Sequence, residues 1–238
     1  MKKLIIVFLL ALASATQAQN VGLSFSYFVP RNGYFSTPIS PFSIRGVGFN
    51  FNRFVGVQTG ATLYRMSGLN IIDLPYESKN PLLGPNFTLF VPAELVFQLT
   101  GKNVKFDIKG GGFFFYGMGQ KLDYGNFDRA IRKYENWDVA NSDLSFKNNP
   151  GFGYHFGGEL TIYITNQFGI SLETNYLMGT AKLPLTGTYS GGTMAGPLQT
   201  KSVDYKNAKV DFTGFEFSVG IIFTGGGGGP KKPARRRR

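Results

Sequence analysis

Eight segments of the chain alternate apolar and polar residues with a period of two, the signature of strands with two unlike faces. Residues 20–29 place Leu23, Phe25, Tyr27 and Val29 opposite Gly22, Ser24 and Ser26. The same alternation recurs over 45–52, 54–64, 87–98, 104–116, 151–165, 168–179 and 210–223. The last of these sets Phe215, Phe217, Val219, Ile221 and Phe223 against Gly214, Glu216, Ser218 and Gly220.

Alternation alone also fits a soluble sandwich, so the content of each face decides. The polar face is rich in glycine and carries Glu94, Lys105, Asp107, Lys109, Glu159, Glu173 and Glu216. Acids and bases mixed in this way suit the inside of a small barrel, where they can pair. The other face has no charge in mid-strand. Its only charges, Arg45, Arg65 and Asp211, fall at strand ends, where lipid headgroups would lie. A charge facing lipid at the bilayer midplane costs about 2–4 kcal/mol, whereas near the interface it costs little. A soluble protein with so bare an outer face would aggregate. The pattern predicts an all-β fold, an eight-stranded antiparallel transmembrane β-barrel.

The connections alternate long (30–44, 65–86, 117–150, 180–209) with short (Asn52-Arg53, 100–103, Asn166-Gln167). Long extracellular loops and short periplasmic turns are the habit of outer-membrane barrels, and an even strand number puts both termini in the periplasm. Tyr27, Tyr116, Tyr154 and Tyr176 fall near the loop ends of the apolar face, and Phe51, Phe97 and Phe223 near the turn ends, as two interfacial girdles. Pro92 interrupts the fourth segment. It cannot donate to a ladder in a sheet without edges, which predicts a bulge there.

Composition adds the route and the ends. Hydrophobic residues are 42% of the chain and charged residues 16%, and beyond residue 20 no apolar run approaches the roughly 18 residues of a membrane-spanning helix. Lys2 and Lys3, the apolar run 4–12 and the small residues 13–18 read as a signal peptide over 1–18, which leaves a barrel over 19–223. Without cysteine, disulfides, thiolate metal sites and lipoprotein anchoring are excluded. The net charge of +11 is concentrated at one end. Of 25 basic residues, two belong to the signal segment and six to the last eight positions, leaving 17 against 14 acids. Residues 224–238 thus read as a flexible, disordered tail, glycine-rich and then basic through Lys231, Lys232, Arg235, Arg236, Arg237 and Arg238.

The signal segment, the eight alternating strands and the terminal FEFSVGIIF ending on Phe223 resemble small outer-membrane barrels of the OmpA/OmpX kind. The glycine- and aromatic-rich style, with Phe168-Gly169 opening a strand and VPAEL over 91–95, is similar to PorT-like barrels of Bacteroidota. The resemblance implies that the barrel-assembly machinery recognises the terminal strand through Phe215, Phe217, Val219, Ile221 and Phe223. Some PorT-like members serve the type IX secretion system, and most have no assigned function. Unlike OmpA itself, this chain continues past the barrel into the basic tail and not into a peptidoglycan-binding domain.

Candidate chemistry is sparse. His155, the single histidine, shares a face with Glu159, but these lie about 13 Å apart along a strand at about 3.3 Å per residue. His155 reads as an interior hydrogen-bonding residue, and lipid A deacylases carry a serine where this chain has Gly157. No catalytic residue, cofactor or metal site is expected. Triple and paired glycines such as Gly110-Gly111-Gly112 sit within strands and read as packing positions, not phosphate loops. In an eight-stranded barrel side chains fill the lumen, so a closed plug is expected over a pore. Trp137 lies among mixed charges in a long loop, as part of a short helix, a recognition patch, or a loop folded on its own barrel. Expected partners are outer-membrane lipid, the assembly machinery, and an envelope complex or acidic periplasmic surface reached by the tail. The alternative for the tail is a solvated end. A periplasmic tail meets no nucleic acid. The expected role is a non-enzymatic structural or accessory subunit, with an outer-membrane enzyme on lipid or peptide, or a small ligand-binding or leak barrel, as the alternatives.

Overall fold

The computed structural model describes residues 20–34, 37–165 and 167–224. The expected signal segment and the basic tail beyond Thr224 lie outside the described residues. Eight long strands alternate in direction: β1 (Asn20–Pro30), β2 (Thr37–Asn50), β3 (Val55–Met66), β4 (Asn86–Thr100), β5 (Val104–Met118), β6 (Gly151–Tyr163), β7 (Phe168–Lys182) and β8 (Gly214–Thr224). Each pairs antiparallel with its chain neighbours. The ring closes where β1 meets β8, in unbroken register from Asn20↔Thr224 to Pro30↔Gly214. Closure pairs both sides of every strand, which is what a sheet needs when no water can satisfy its backbone.

The side chains sort as the period of two dictates. Leu95 (62% exposed), Phe152 (65%) and Tyr154 (63%) stand on the outer wall with Phe25, Phe106, Leu172 and Val219. Such exposure is untenable in water and ordinary in lipid. The turn ends are tight. Asn52 Oδ1 accepts from the backbone N–H groups of Phe54 (2.8 Å) and Val55 (2.9 Å), closing the β2–β3 turn.

Four expectations from the sequence are corrected. The first connection is short, because β2 begins at Thr37 and not at Arg45. The last barrel strand begins at Gly214. Residues 209–211 form a separate short strand that pairs with the end of β7 and with 71–72, so Asp211 lies inside the mouth, accepting from Asn32 Nδ2 (3.2 Å) and Thr213 N (3.1 Å). Arg45 points into the lumen and not to the headgroups. Between Ile44↔Ala61 and Val47↔Thr59 the β2–β3 register shifts by one residue, and Gly46 takes a positive φ of 74° at that bulge. An extra residue reverses the parity of everything before it, so Arg45 becomes interior. Pro92, finally, carries no bulge. Its register with β5 is unbroken (Pro92↔Phe113), and with β3 it is the same on both sides (Thr59↔Ala93, Thr62↔Phe90). Its carbonyl faces β3 and accepts from Thr59 Oγ1 (2.6 Å).

The long connections fold into a cap. Helix α1 (Tyr124–Glu135) starts at Asp123, whose side chain accepts from Asn126 N (3.0 Å), and ends where Asn136 turns left-handed (φ 55°). The helix packs on a three-stranded sheet ordered 199–205, 185–192, 139–146. Its buried face, Phe127, Ala130 and Ile131, joins Leu82, Leu83, Leu144, Leu185 and Val203 in one apolar core that runs down into the barrel mouth.

Candidate functional site

The barrel interior has two storeys. Toward the loop end it is aromatic. Phe212, between the 209–211 strand and β8, drops into the mouth and stacks on Phe28 (centroids 4.5 Å, 16°) and on Phe115 (4.5 Å, 17°). Phe90 and Phe113 fill in beside it, and all five rings are buried. Aromatic pairs of this kind contribute about 0.5–1.5 kcal/mol each beyond the area they bury. The result is a water-excluding stopper.

Beneath it lies a network of charges. Glu94, Lys105, Asp107, Lys109, Glu159, Glu173 and Glu216 are all buried in the lumen, and Arg45 joins them through the bulge. The register puts like charges side by side. Glu159 stands directly opposite Asp107 on one neighbour and Glu173 on the other. Such a row repels itself unless a cation is threaded through it. Lys109 does so, bonding Glu159 and, at 3.3 Å, Glu173. Lys105 holds Asp107 at 2.7 Å.

Arg45 is the hub. It bonds Glu216, lies 4.0 Å from both Glu94 and Glu173, and covers the Phe90 ring at 5.5 Å. Glu216 is completely buried and accepts also from Tyr64 Oη and from Asn175 Nδ2 (2.8 Å). Asn175 in turn donates to Glu173 (2.9 Å). Hydroxyls pair on the wall beside the network, as in Ser26–Ser218 (2.6 Å) and Ser43–Thr62 (2.7 Å). Buried charges are tolerated only when paired, and here the pairing reaches across the bore.

His155 does not meet Glu159, which is turned to Lys109. Its Nε2 instead lies 3.6 Å from Glu94 Oε1, with the Phe90 and Phe113 rings beside it. Neither ring nitrogen has a hydrogen-bond partner among the described residues. Trp137 is half-buried against Tyr189 (5.8 Å), with Lys201 Nζ 5.4 Å from its ring. It therefore serves the core of the cap, just past the end of the helix. Of the terminal-strand residues, Phe215, Phe217, Val219, Ile221 and Phe223 all face outward from β8. The six basic residues of the tail lie outside the described residues.

Arg45 and the stopper are what the sequence pattern did not place. A signal for Arg45 was available: the five interior acids had only two lysines among them, and Gly46 followed directly. The stopper gave none, because Phe28, Phe90, Phe113 and Phe115 sit at positions of the polar phase.

In the cap, Glu135 accepts from Lys201 Nζ (2.5 Å) and Tyr189 Oη (2.6 Å), tying the end of the helix to two strands of the sheet. Those two donors hold its carboxyl below the ordinary range. Asp128 accepts from the backbone N (2.8 Å) and hydroxyl (2.6 Å) of Ser142. The hairpin between 185–192 and 199–205 ends in Met194 (93% exposed) and Leu198 (76%), the two most exposed large apolar side chains among the described residues.

A closed ring of eight antiparallel strands, apolar outside and ion-paired inside, defines a transmembrane β-barrel of the small outer-membrane kind. Structural comparison agrees. OprG, an outer-membrane protein of Pseudomonas aeruginosa, superposes with a TM-score of 0.52 at 11% identity, over 86% of this chain and 94% of that one. More distant are a major outer-membrane protein of Thermus thermophilus (TM-score 0.42, 11% identity, 86% and 98% covered) and Ail of Yersinia pestis (0.37, 12%, 86% and 94%). At these identities the likeness is one of fold, and of these three it is OprG that carries it. The sequence matches no protein-family model and no curated protein.

Proposed function

We propose that this chain is a non-enzymatic outer-membrane barrel, a structural or accessory subunit that docks onto another envelope component through its cap. The single observation that carries the reading is the contrast between lumen and cap. Ion pairs reach across the lumen and Phe212 stacks in its mouth, which favours a plugged barrel over an open bore. The cap is a folded unit whose apolar core continues into the barrel mouth, and it ends in the bare apolar tip of Met194 and Leu198. Large apolar side chains in water at the tip of a hairpin favour a partner that covers them. Both termini face the periplasm in this reading, and the partner complex is of the secretion or barrel-assembly type, in line with the PorT-like resemblance. The basic residues 231–238 supply a second contact, with an acidic periplasmic surface, effective only within about 8–10 Å at physiological salt.

Chemical cross-linking in native membranes, followed by gentle solubilisation and mass spectrometry, tests this. Wild type should retain a defined partner, and a Met194→Ser, Leu198→Ser variant should lose it while the barrel stays folded. Replacing the six tail residues by Gln should make any periplasmic capture less salt-sensitive. An unchanged partner set in both variants, or hydrolysis of outer-membrane lipid by the purified barrel, would overturn the reading.

A further inference from the structure

The cap also carries a cleft that neither the stopper nor the apolar tip uses. Helix α1 forms one wall and the 77–80 turn the other, around a cavity of about 370 Å³. Arg129 and Lys133 line it from the helix, four residues apart and therefore on one face, and Lys79 lines it from the turn. The ion pairs of the cap are Lys201–Glu135, Lys206–Asp204 and Lys209–Asp73, so these three cations have no acidic partner among the described residues. The two acids of the helix are engaged elsewhere, Asp128 with Ser142 and Glu135 with Lys201 and Tyr189. Glu77 is the one acid lining the cleft, which is left with two net positive charges.

The cleft is built and not merely lined. Asn126, buried on the inner side of the helix, donates from Nδ2 to Pro81 O (2.7 Å) and accepts at Oδ1 from Arg129 Nη1 (3.0 Å). One amide thus clamps the turn to the helix and aims the guanidinium. The turn is fixed from behind as well, by Asn70 Nδ2 donating to Ser78 O (3.3 Å) and Ser78 Oγ to Asn80 O (2.7 Å). A positioned guanidinium fork flanked by two ammonium groups is the arrangement that recognises a phosphate group.

We propose that this cleft binds the phosphate of a phosphorylated saccharide, gripped by Arg129, Lys133 and Lys79. The cavity is larger than a bare phosphate and leaves room for the sugar that bears it. Such a group comes either from a glycolipid headgroup in the surrounding leaflet or from a soluble sugar phosphate.

Two arms separate these sources. In the first, the full-length protein in neutral detergent is titrated with glucose 6-phosphate, with glucose as the uncharged control. In the second, it is placed in phosphatidylcholine nanodiscs with lipid A, and retained lipid A is measured. Saturable, salt-sensitive binding is expected in at least one arm, and which arm identifies the source. There, Arg129→Gln with Lys133→Gln should weaken binding at least about tenfold, since two charge-assisted contacts are lost. Glu77→Gln should strengthen it, and Lys206→Gln, whose partner is Asp204, should change nothing. These side chains lie on the surface, so heat-modifiable migration should remain that of wild type. Binding unaffected by the Arg129/Lys133 pair in both arms, or weakened by Glu77→Gln, would overturn the proposal.

Discussion

At the scale of residues, the lumen is decided by a shortage of cations. In the charged storey of the lumen five buried carboxylates, Glu94, Asp107, Glu159, Glu173 and Glu216, share three permanent cations, Arg45, Lys105 and Lys109. Losing a cation leaves buried acids facing one another, whereas neutralising an acid relieves part of the surplus. Arg45→Met or Lys109→Met should therefore cost about 3–5 kcal/mol, and Glu159→Gln less than half of that. Urea unfolding of the barrel in detergent measures both, and equal costs would argue against the network. Most of these interior residues can be read from the chain, because a strict period of two leaves each charge one face only. Arg45 and Asp211 cannot. The first is inverted by a single inserted residue at Gly46, and the second belongs to a loop strand whose alternation happens to run on into β8.

At the scale of elements, the cap is held by a few polar ties around an apolar core. Glu135 joins helix α1 to Lys201 and Tyr189, and its carboxyl is held below its ordinary value near 4.5. A depressed folded pKa means that the tie contributes at pH above the ordinary carboxylate range and is lost as pH falls through the lowered value. Hydrogen exchange over 199–205 should consequently be faster in Glu135→Gln than in wild type at neutral pH. In strong acid the two should converge; a difference that persists there would assign the effect to something other than this carboxylate. The last strand supports a second expectation. Phe223 pairs with both Val21 and Phe168 at the seam of the ring, so Phe223→Ala with Ile221→Ala should lower the amount of assembled barrel in the membrane, read as heat-modifiable protein; normal levels would remove β8 from that role. The cap itself was largely hidden in the sequence. Its strands are short, its helix ends in the largely polar run of 132–135, and its order of 199–205, 185–192, 139–146 comes from tertiary packing that no local period encodes.

For the whole molecule, the two storeys of the lumen favour the proposed reading of the barrel as a membrane-bound support for its cap and not a conduit. The outer wall meets lipid along its length, the bore is occupied by ion pairs that reach across it, and Phe212 with its stacked neighbours seals the mouth. Eight strands are also the number at which side chains suffice to fill a barrel. Planar-bilayer recording tests this most directly. The purified protein should show no steady conductance, and loss of the stopper alone, as Phe212→Gly, should open at most small, flickering currents because the charged storey beneath remains. Reproducible nanosiemens-scale channels from the wild-type protein would contradict it.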